Sequence, residues 1–326
     1  MSDPYAYLLR QTGGPERLEA EPIDVPRPGP GQVVVRHEAV GLNFIDTYHR
    51  SGLYKLPLPS GLGSEAAGVV KAAGEGVAGF REGDRVGYFT GPLGAYATHR
   101  AIDADRLVKL PGAISAEQAA AAMLKGCTAE YLVERCARVQ AGETVLVHAA
   151  AGGVGSILVP WLKHVGARII AHSGDSSKAA AAKALGADHS LYCPMDELAA
   201  TVRALTEGKG VPIVLDGVGA ASWQASLGSV ARRGLVVTYG NASGPVPPFT
   251  ALDLLTAGSI FVTRPTLGDY CAAPEEMRAS AARLFELIAN GTIDIRIGAT
   301  FPLLKAADAH RAIESRATTG STVLLP

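Results

Sequence analysis

Charge is scarce in this chain. Charged residues make up 19% of its 326 positions, 30 Lys+Arg against 31 Asp+Glu, for a formal net charge of -1. A chain this close to neutrality has no bulk attraction for a polyanion, and no long basic run is present, so nucleic acid is not an expected partner. Cysteine is also scarce. Cys127, Cys136, Cys193 and Cys271 form no CxxC pair and no tight cluster. That excludes a disulfide scaffold and a zinc ribbon, and makes a reducing cytoplasm the expected compartment. Long apolar runs are missing: the most hydrophobic windows are broken by Gly, Pro or charge, so no membrane span is expected. The start, MSDPYAYLLRQTGGPE, lacks a basic segment followed by an apolar one and does not read as a secretion signal. What is present is 48% hydrophobic residues and enough length for two domains, the composition of a well-buried globular protein.

Organisation changes twice along the chain. Residues 1–110 read as β-rich, with Gly and Pro punctuating short apolar runs such as GQVVVRHEAVGL and EAAGVVKAAG, which suggests a small barrel or sandwich. At Ser115 a capping box opens a helix, with Gln118 three residues on. From Thr144 strands and helices alternate. The strands are expected at 144–148, 168–172, 212–216, 235–240 and 259–263, which argues for a doubly wound parallel sheet. Pro160 lies inside the first helix of that series and implies a kink unless it falls in the first turns. Beyond about Arg264 the pattern changes again: an amphipathic helix ending at Gly291, a second over KAADAHRAIESR, and a closing strand STVLLP. The two ends are therefore expected to build one domain, with the nucleotide-type domain inserted.

The densest signal is AAAGGVG at 149–155, between a strand and a helix. A dinucleotide-binding turn occupies that place: glycines let the backbone approach a pyrophosphate, and the following helix offers free N–H groups and its positive end. The string reads A-x-x-G-x-x-G, not G-x-G-x-x-G, so its context carries it more than its letters. The next strand ends in AHSGDSSK, without the acidic residue that binds the ribose hydroxyls of NAD. Gly174, Ser176, Ser177 and Lys178 there suit the 2′-phosphate of NADPH, because hydroxyls donate hydrogen bonds and lysine adds charge. Asp175 works against this, since a carboxylate repels a phosphate.

The segments GLNFIDTYHRSGLY, LPSGLGSEAAGVV, GDRV, AAAGGVG, SVARRGLVVTYGNASG, VTRPTL and ESRATTGSTVLLP run nearly end to end. Together they resemble the zinc-independent, zeta-crystallin-like NADPH:quinone oxidoreductases of the medium-chain dehydrogenase/reductase superfamily. The resemblance implies an α/β protein: a GroES-like catalytic domain over 1–126, completed by 267–326, a Rossmann NADPH-binding domain over 127–266, and a homodimer. It also explains an absence. Where zinc alcohol dehydrogenases carry G-x-C-x-x-D and G-H-E-x-x-G, this chain has G-L-N-F-I-D and G-S-E-A-A-G, with Asn43 and Ser64 at ligand positions. Cys127 alone does not hold zinc, so no metal is expected. Without a Lewis acid, quinones or activated alkenes are favoured as acceptors over alcohols.

By the same resemblance Asn43, Asp46, Tyr48 and Tyr54 lie beside the nicotinamide. Asn43 is expected to bond the cofactor or the acceptor oxygen, the tyrosines to donate to a developing oxyanion, and Asp46 to orient a neighbour, relay a proton, or only cap a helix turn. Cofactor contacts are implied for Lys125, Tyr131, Gly152, Gly153, Val154, Gly155, Tyr192, Tyr239, Gly240, Asn241, Ser243, Thr263, Arg264 and Arg316. Two departures from the family stand out. GADHSLYC places Tyr192 one position early and Cys193 in the usual tyrosine's place, a slip that in a strand turns the ring to the other face. DGVG puts Gly217 where close relatives have serine. Both are expected to weaken NADPH binding. The histidines, including His148 at the end of the first strand of the parallel sheet, lack i, i+4 pairing and read as structural.

Two further readings stay open. An enone or enoyl-thioester reductase on the same scaffold would need a basic entrance, for which Arg50, Lys55 and Arg264 are candidates. An NADPH-binding protein with a sensing or structural role would bind cofactor without turnover.

Overall fold

The computed structural model describes residues 3–316 and 318–326. Among them the early strands are β1 Tyr5–Leu9, β2 Ala20–Pro22, β3 Gln32–Leu42, β4 Ser60–Gly61, β5 Glu65–Ala73, β6 Arg85–Tyr88, β7 His99–Asp103 and β8 Val108–Lys109. The central strands are β9 Thr144–His148, β10 Arg168–His172, β11 His189–Leu191, β12 Val211–Asp216, β13 Val230–Thr238 and β14 Phe261–Thr263; β15 Ile297–Pro302 and β16 Ser321–Leu325 close the chain. The chain divides into two compact units. One comprises Met1–Cys127, Cys271–Ala289 and Ile295–Pro326, the other Thr128–Tyr270 and Asn290–Asp294.

The first unit is a GroES-like β fold. Its main sheet runs β15-β16-β3-β5-β6-β8, with β7 also paired to β3. Long β3 serves three neighbours, and its register with β5 shifts at Val34/Val35 and His37/Ala39, which bends the sheet. Val33, Val35, Val40, Leu42, Ala66, Val70, Val86 and Leu324 close over one core. Between β3 and β4 the chain makes helix α1, Phe44–Ser51, stopped by Gly52 in the left-handed region. Helix α2, Ala116–Glu130, starts with the expected box: Gln118 N–H donates to Ser115 Oγ at 3.0 Å, and Ser115 N–H to Gln118 Oε1 at 3.0 Å.

The second unit is a six-stranded parallel sheet in the order β11-β10-β9-β12-β13-β14. That is the doubly wound Rossmann order, and it buries the apolar strands on both faces. Helices α3 Gly155–His164, α4 Ser176–Ala184, α5 Met195–Leu205, α6 Trp223–Ser229 and α7 Ala251–Thr256 join its strands. Two strand expectations need correction. The 235–240 strand is β13, which starts at Val230 and ends at Thr238, so Tyr239 and Gly240 belong to the loop beyond it. The 259–263 strand starts only at Phe261, because Ser259 lies at φ +57 and turns the chain. Pro160 is the sixth residue of α3, past the first turn, where its missing N–H leaves one carbonyl of that turn without its helical donor.

Candidate active site

The carboxyl ends of the parallel strands gather the polar residues of the second unit. His148, His172, Ser173, Asp216 and Thr238 lie there, all buried. This edge is where ligands bind in open α/β sheets. Ala149 follows β9 at φ +52, a left-handed backbone rare for alanine, and Gly152 N–H closes the turn on its carbonyl at 2.9 Å. Gly155 then begins α3. A Cβ on Gly155 would lie 2.4 Å from Ala149 O and 2.6 Å from the Ala150 carbonyl, so only glycine lets the helix start this close to the strand. Ser156 N–H donates to Gly152 O at 2.8 Å and Leu158 N–H to Val154 O at 2.9 Å, so α3 starts directly on the turn and points its positive end at it.

This geometry fits a dinucleotide. Ser173 Oγ and Thr238 Oγ1 are buried at two strand ends without partners in the protein. The loop after β12 is built to rigid order beside them. Asp216 Oδ1 accepts from Val218 N–H at 2.8 Å and Gly219 N–H at 3.2 Å, while its Oδ2 accepts from Ser226 Oγ at 2.7 Å. Ser226 Oγ also meets His148 Nε2 at 3.0 Å, so His148 does bond locally. Burial lowers its pKa to about 4, against the pull of Asp216, and the ring is neutral.

Around that edge stand the other expected cofactor residues. Tyr131 opens a π-helical turn, Tyr131–Cys136, and is buried. It stacks on Tyr270 at 4.5 Å and 14°, with the Arg135 guanidinium 5.2 Å from the Tyr270 ring. Burial raises the Tyr131 phenol, and Arg264 and Tyr239 both act on it electrostatically, so the fold brings these three together. Tyr270 carried no local pattern in the sequence. Gly217 has a structural counterpart: a Cβ there would lie 2.9 Å from the Tyr239 ring, so the ring fills the space a serine would need. Ser243 Oγ donates to Val218 O and accepts from Ala221 N–H, tying Asn241 and Gly240 to the same loop. Thr263 ends β14 and pairs with Val237. At α4, Gly174, Ser176 and Ser177 are exposed, and Asp175 is the N-cap, accepting from Lys178 N–H at 2.8 Å with Lys178 Nζ 3.4 Å from its other oxygen. Tyr192 lies beyond the end of β11 and is 63% exposed, so strand alternation does not decide its face, contrary to the expectation.

In the first unit the expected catalytic residues lie on α1 and at its two ends. Tyr48 and Tyr54 meet edge to face at 5.2 Å. Asn43 is the N-cap and is buried; its Nδ2 donates to Glu65 Oε2 at 2.9 Å, which engages the amide within the protein. Asp46 does take the capping role, its Oδ2 accepting from Asn43 N–H at 3.0 Å. Lys125 Nζ lies 3.8 Å from Glu65 and 3.4 Å from Leu42 O. Burial lowers the Lys125 pKa, and the carboxylates of Glu65 and Asp46 oppose that. Arg50, a candidate for a basic entrance, is instead buried against His310 and Glu314, because its guanidinium satisfies both. Glu65, Tyr96 and His310 are polar partners that sequence reading missed. Ser64 and Cys127 are buried, and among the described residues no group of three or more His, Cys, Asp or Glu is placed to hold a metal ion. Arg316 follows the helix Ala306–Glu314, exposed and at φ +58.

A GroES-like sheet unit interrupted by a six-stranded dinucleotide fold defines a medium-chain dehydrogenase/reductase. Residues 29–112 match the alcohol dehydrogenase GroES-like domain, and 153–286 match the zinc-binding dehydrogenase domain. The chain is 50% identical to a quinone oxidoreductase of Pseudomonas aeruginosa over 96% of its length and 97% of the relative's. It is 41% identical to a 2-haloacrylate reductase of a Burkholderia species over 98% of each. The solved structure of Escherichia coli quinone oxidoreductase complexed with NADPH superposes with a TM-score of 0.95, at 43% identity, covering 99% of this chain and all of that one. The chain belongs to the quinone oxidoreductase family.

Proposed function

We propose that this protein is an NADPH:quinone oxidoreductase. The observation that carries the reading is its full-length identity with quinone oxidoreductases, on a fold whose strand ends form a cradle for a dinucleotide. NADPH, when bound, supplies a hydride from its nicotinamide. The chain's own part is to bind and orient. The N-terminus of α3 and the turn 149–155 receive the pyrophosphate, and Ser176, Ser177 and Lys178 receive the 2′-phosphate. Tyr131, Tyr239 and Arg264 line the nicotinamide half. Tyr48 and Tyr54 donate to the acceptor oxygen as it gains charge.

A second reading has a specific observation behind it. The 2-haloacrylate reductase relative shows that this scaffold also serves a protein named for an activated alkene. The test is NADPH oxidation with purified protein, offering benzoquinone, a naphthoquinone and 2-chloroacrylate in turn, with NADH in parallel and with and without chelator. Turnover on quinones with NADPH, indifferent to chelator, is the expected result. Activity confined to the haloacrylate favours the alkene reductase, and no turnover on any acceptor removes the enzyme reading.

The protein acts as a homodimer in this reading. Strand β14 is one of the two edges of the parallel sheet, and Phe249, Leu252, Leu255 and Phe261 are exposed apolar residues on it and in the segment before it. A second copy pairing edge to edge covers all four.

A further inference from the structure

We propose that Gly217 is a positioning residue, a seat for the Tyr239 ring, and that the ring seated there offers the nicotinamide half of NADPH the hydroxyl that residue 217 lacks. This rests on the placement of Tyr239 given above, and it reverses the expectation that this glycine weakens NADPH binding.

Two loops leave neighbouring strands side by side. Asp216 ends β12 and pairs with Thr238 at the end of β13, so Gly217 and Tyr239 are the next residues on each. Backbone bonds lace the loops together. Tyr239 N–H donates to Asp216 O at 2.8 Å, Ser243 N–H to Val218 O at 2.8 Å and Ala220 N–H to Gly244 O at 3.0 Å. A Cβ on Gly240 would strike the Gly217 carbonyl, so the second loop lies directly on the first. Asp216 holds the first loop from the strand side through the N–H groups of Val218 and Gly219. Backbone bound this closely has little room to adjust, and a side chain resting on it inherits a fixed place.

The Tyr239 ring rests on it at Gly217. An ideal Cβ on Gly217 would lie 2.9 Å from Cε2, from Cζ and from Oη of Tyr239, closer than unbonded carbon atoms pack. All three atoms belong to the far end of the ring, so it is the hydroxyl end that occupies the glycine's open side. A serine hydroxyl is one bond from its Cβ. Tyr239 Oη therefore stands in the neighbourhood that the hydroxyl of a serine at 217 would take. Strand β13 delivers the hydroxyl in place of β12. Both residues are half-buried. The Tyr239 phenol also acts on that of Tyr131, as Arg264 does, so it lies near the other residues assigned to the nicotinamide half. That half carries a carboxamide and ribose hydroxyls, and a phenol can donate to them or accept from them. A ring already held against backbone loses little rotamer freedom when the cofactor arrives.

Binding measurements test this without turnover. Isothermal titration gives Kd for NADPH and for 2′,5′-ADP, which has the adenosine half and the 2′-phosphate but no nicotinamide. Tyr239→Phe keeps the ring and drops the hydroxyl. It is expected to raise Kd for NADPH roughly 5-fold, the worth of one neutral hydrogen bond, and to leave 2′,5′-ADP unchanged. Gly217→Ala unseats the ring and is expected to do the same. The two together are expected to lose no more than either alone, because both remove a single contact. Gly217→Ser in the Tyr239→Phe background returns a hydroxyl to the place and is expected to bring Kd to within about 2-fold of the wild type. Tyr239→Phe decides the matter if Gly217→Ala does not fold. A Tyr239→Phe protein that binds NADPH like the wild type, losses that multiply in the double variant, a serine that restores nothing, or a loss shared by 2′,5′-ADP overturns the proposal. A wild type that binds NADPH yet reduces no acceptor overturns the reductase reading and leaves the seat standing.

Discussion

Asp175 is the residue that argued against NADPH in the sequence, and its surroundings weaken that objection. As N-cap of α4 it is occupied by Lys178, whose N–H lies 2.8 Å from Oδ1 and whose Nζ lies 3.4 Å from Oδ2. The hydrogen bond from Lys178 N–H holds the carboxyl below its usual range, and the lysine charge adds to this, so it is ionised and locally compensated at neutral pH. The exposed hydroxyls of Ser176 and Ser177 stand beside that pair. Two substitutions then separate cap from charge. Lys178→Ala is expected to raise KM for NADPH by roughly 10-fold and leave NADH unchanged, because only NADPH carries the 2′-phosphate. Asp175→Asn is expected to do the opposite for NADPH, lowering KM, and to leave stability alone since asparagine caps as well as aspartate. Initial rates against both cofactors check the pair. An equal change in KM for NADH and NADPH in Lys178→Ala would remove this lysine from the phosphate site.

At the scale of elements, the β9–turn–α3 unit makes the sharpest prediction. The Cβ of Gly155→Ala would meet backbone at 2.4 Å, whereas that of Gly152→Ala would approach Ala149 O only at 3.1 Å. Gly155→Ala should therefore cost about 1–3 kcal/mol of stability, as overpacking does, and displace the helix N-terminus from its ligand. Gly152→Ala should cost less on both counts. Thermal denaturation with and without NADPH measures the order, and equal effects would mean the close approach is not what the glycine provides. This turn was legible in the sequence because close approach is written locally, as small residues between a strand and a helix. Even its departure from G-x-G-x-x-G has a local form, Ala149 accepting a left-handed backbone. The strands of the parallel sheet were legible for the same reason, since burial on both faces demands short apolar runs. What was not legible depends on distant pairs. Tyr96 lies 50 residues from Asp46 and 214 from His310, yet the three share one hydrogen-bonded chain. No spacing encodes that, and nothing local marked Glu65 as the partner of Asn43 and Lys125. The early residues of β13 escaped notice because ARRG at 231–234 interrupts its apolar run, and Arg233 there lies at φ +61.

For the whole molecule the open sheet edge is the feature with a consequence in solution. Parallel sheets are covered on both faces by their helices, so exposure concentrates at the edges. The two edges of this one differ. Strand β11 at one end is HSL, exposed at His189 and half-buried after it, while β14 at the other is FVT, with Phe261 65% exposed. Leu252 and Leu255 on α7 are 70% and 65% exposed, so the apolar surface gathers on the β14 side. An unpaired strand with large apolar side chains invites another chain, and a lysine there is the common natural defence. Phe261→Lys should therefore halve the mass seen by light scattering, from twice to once 33.6 kDa, at protein concentrations on the order of micromolar. The cofactor cradle lies at the strand ends rather than along this edge, so NADPH binding should survive in the monomer. A wild type that is already monomeric, or a variant that stays dimeric, would assign the exposed phenylalanine and leucines to something other than a second copy.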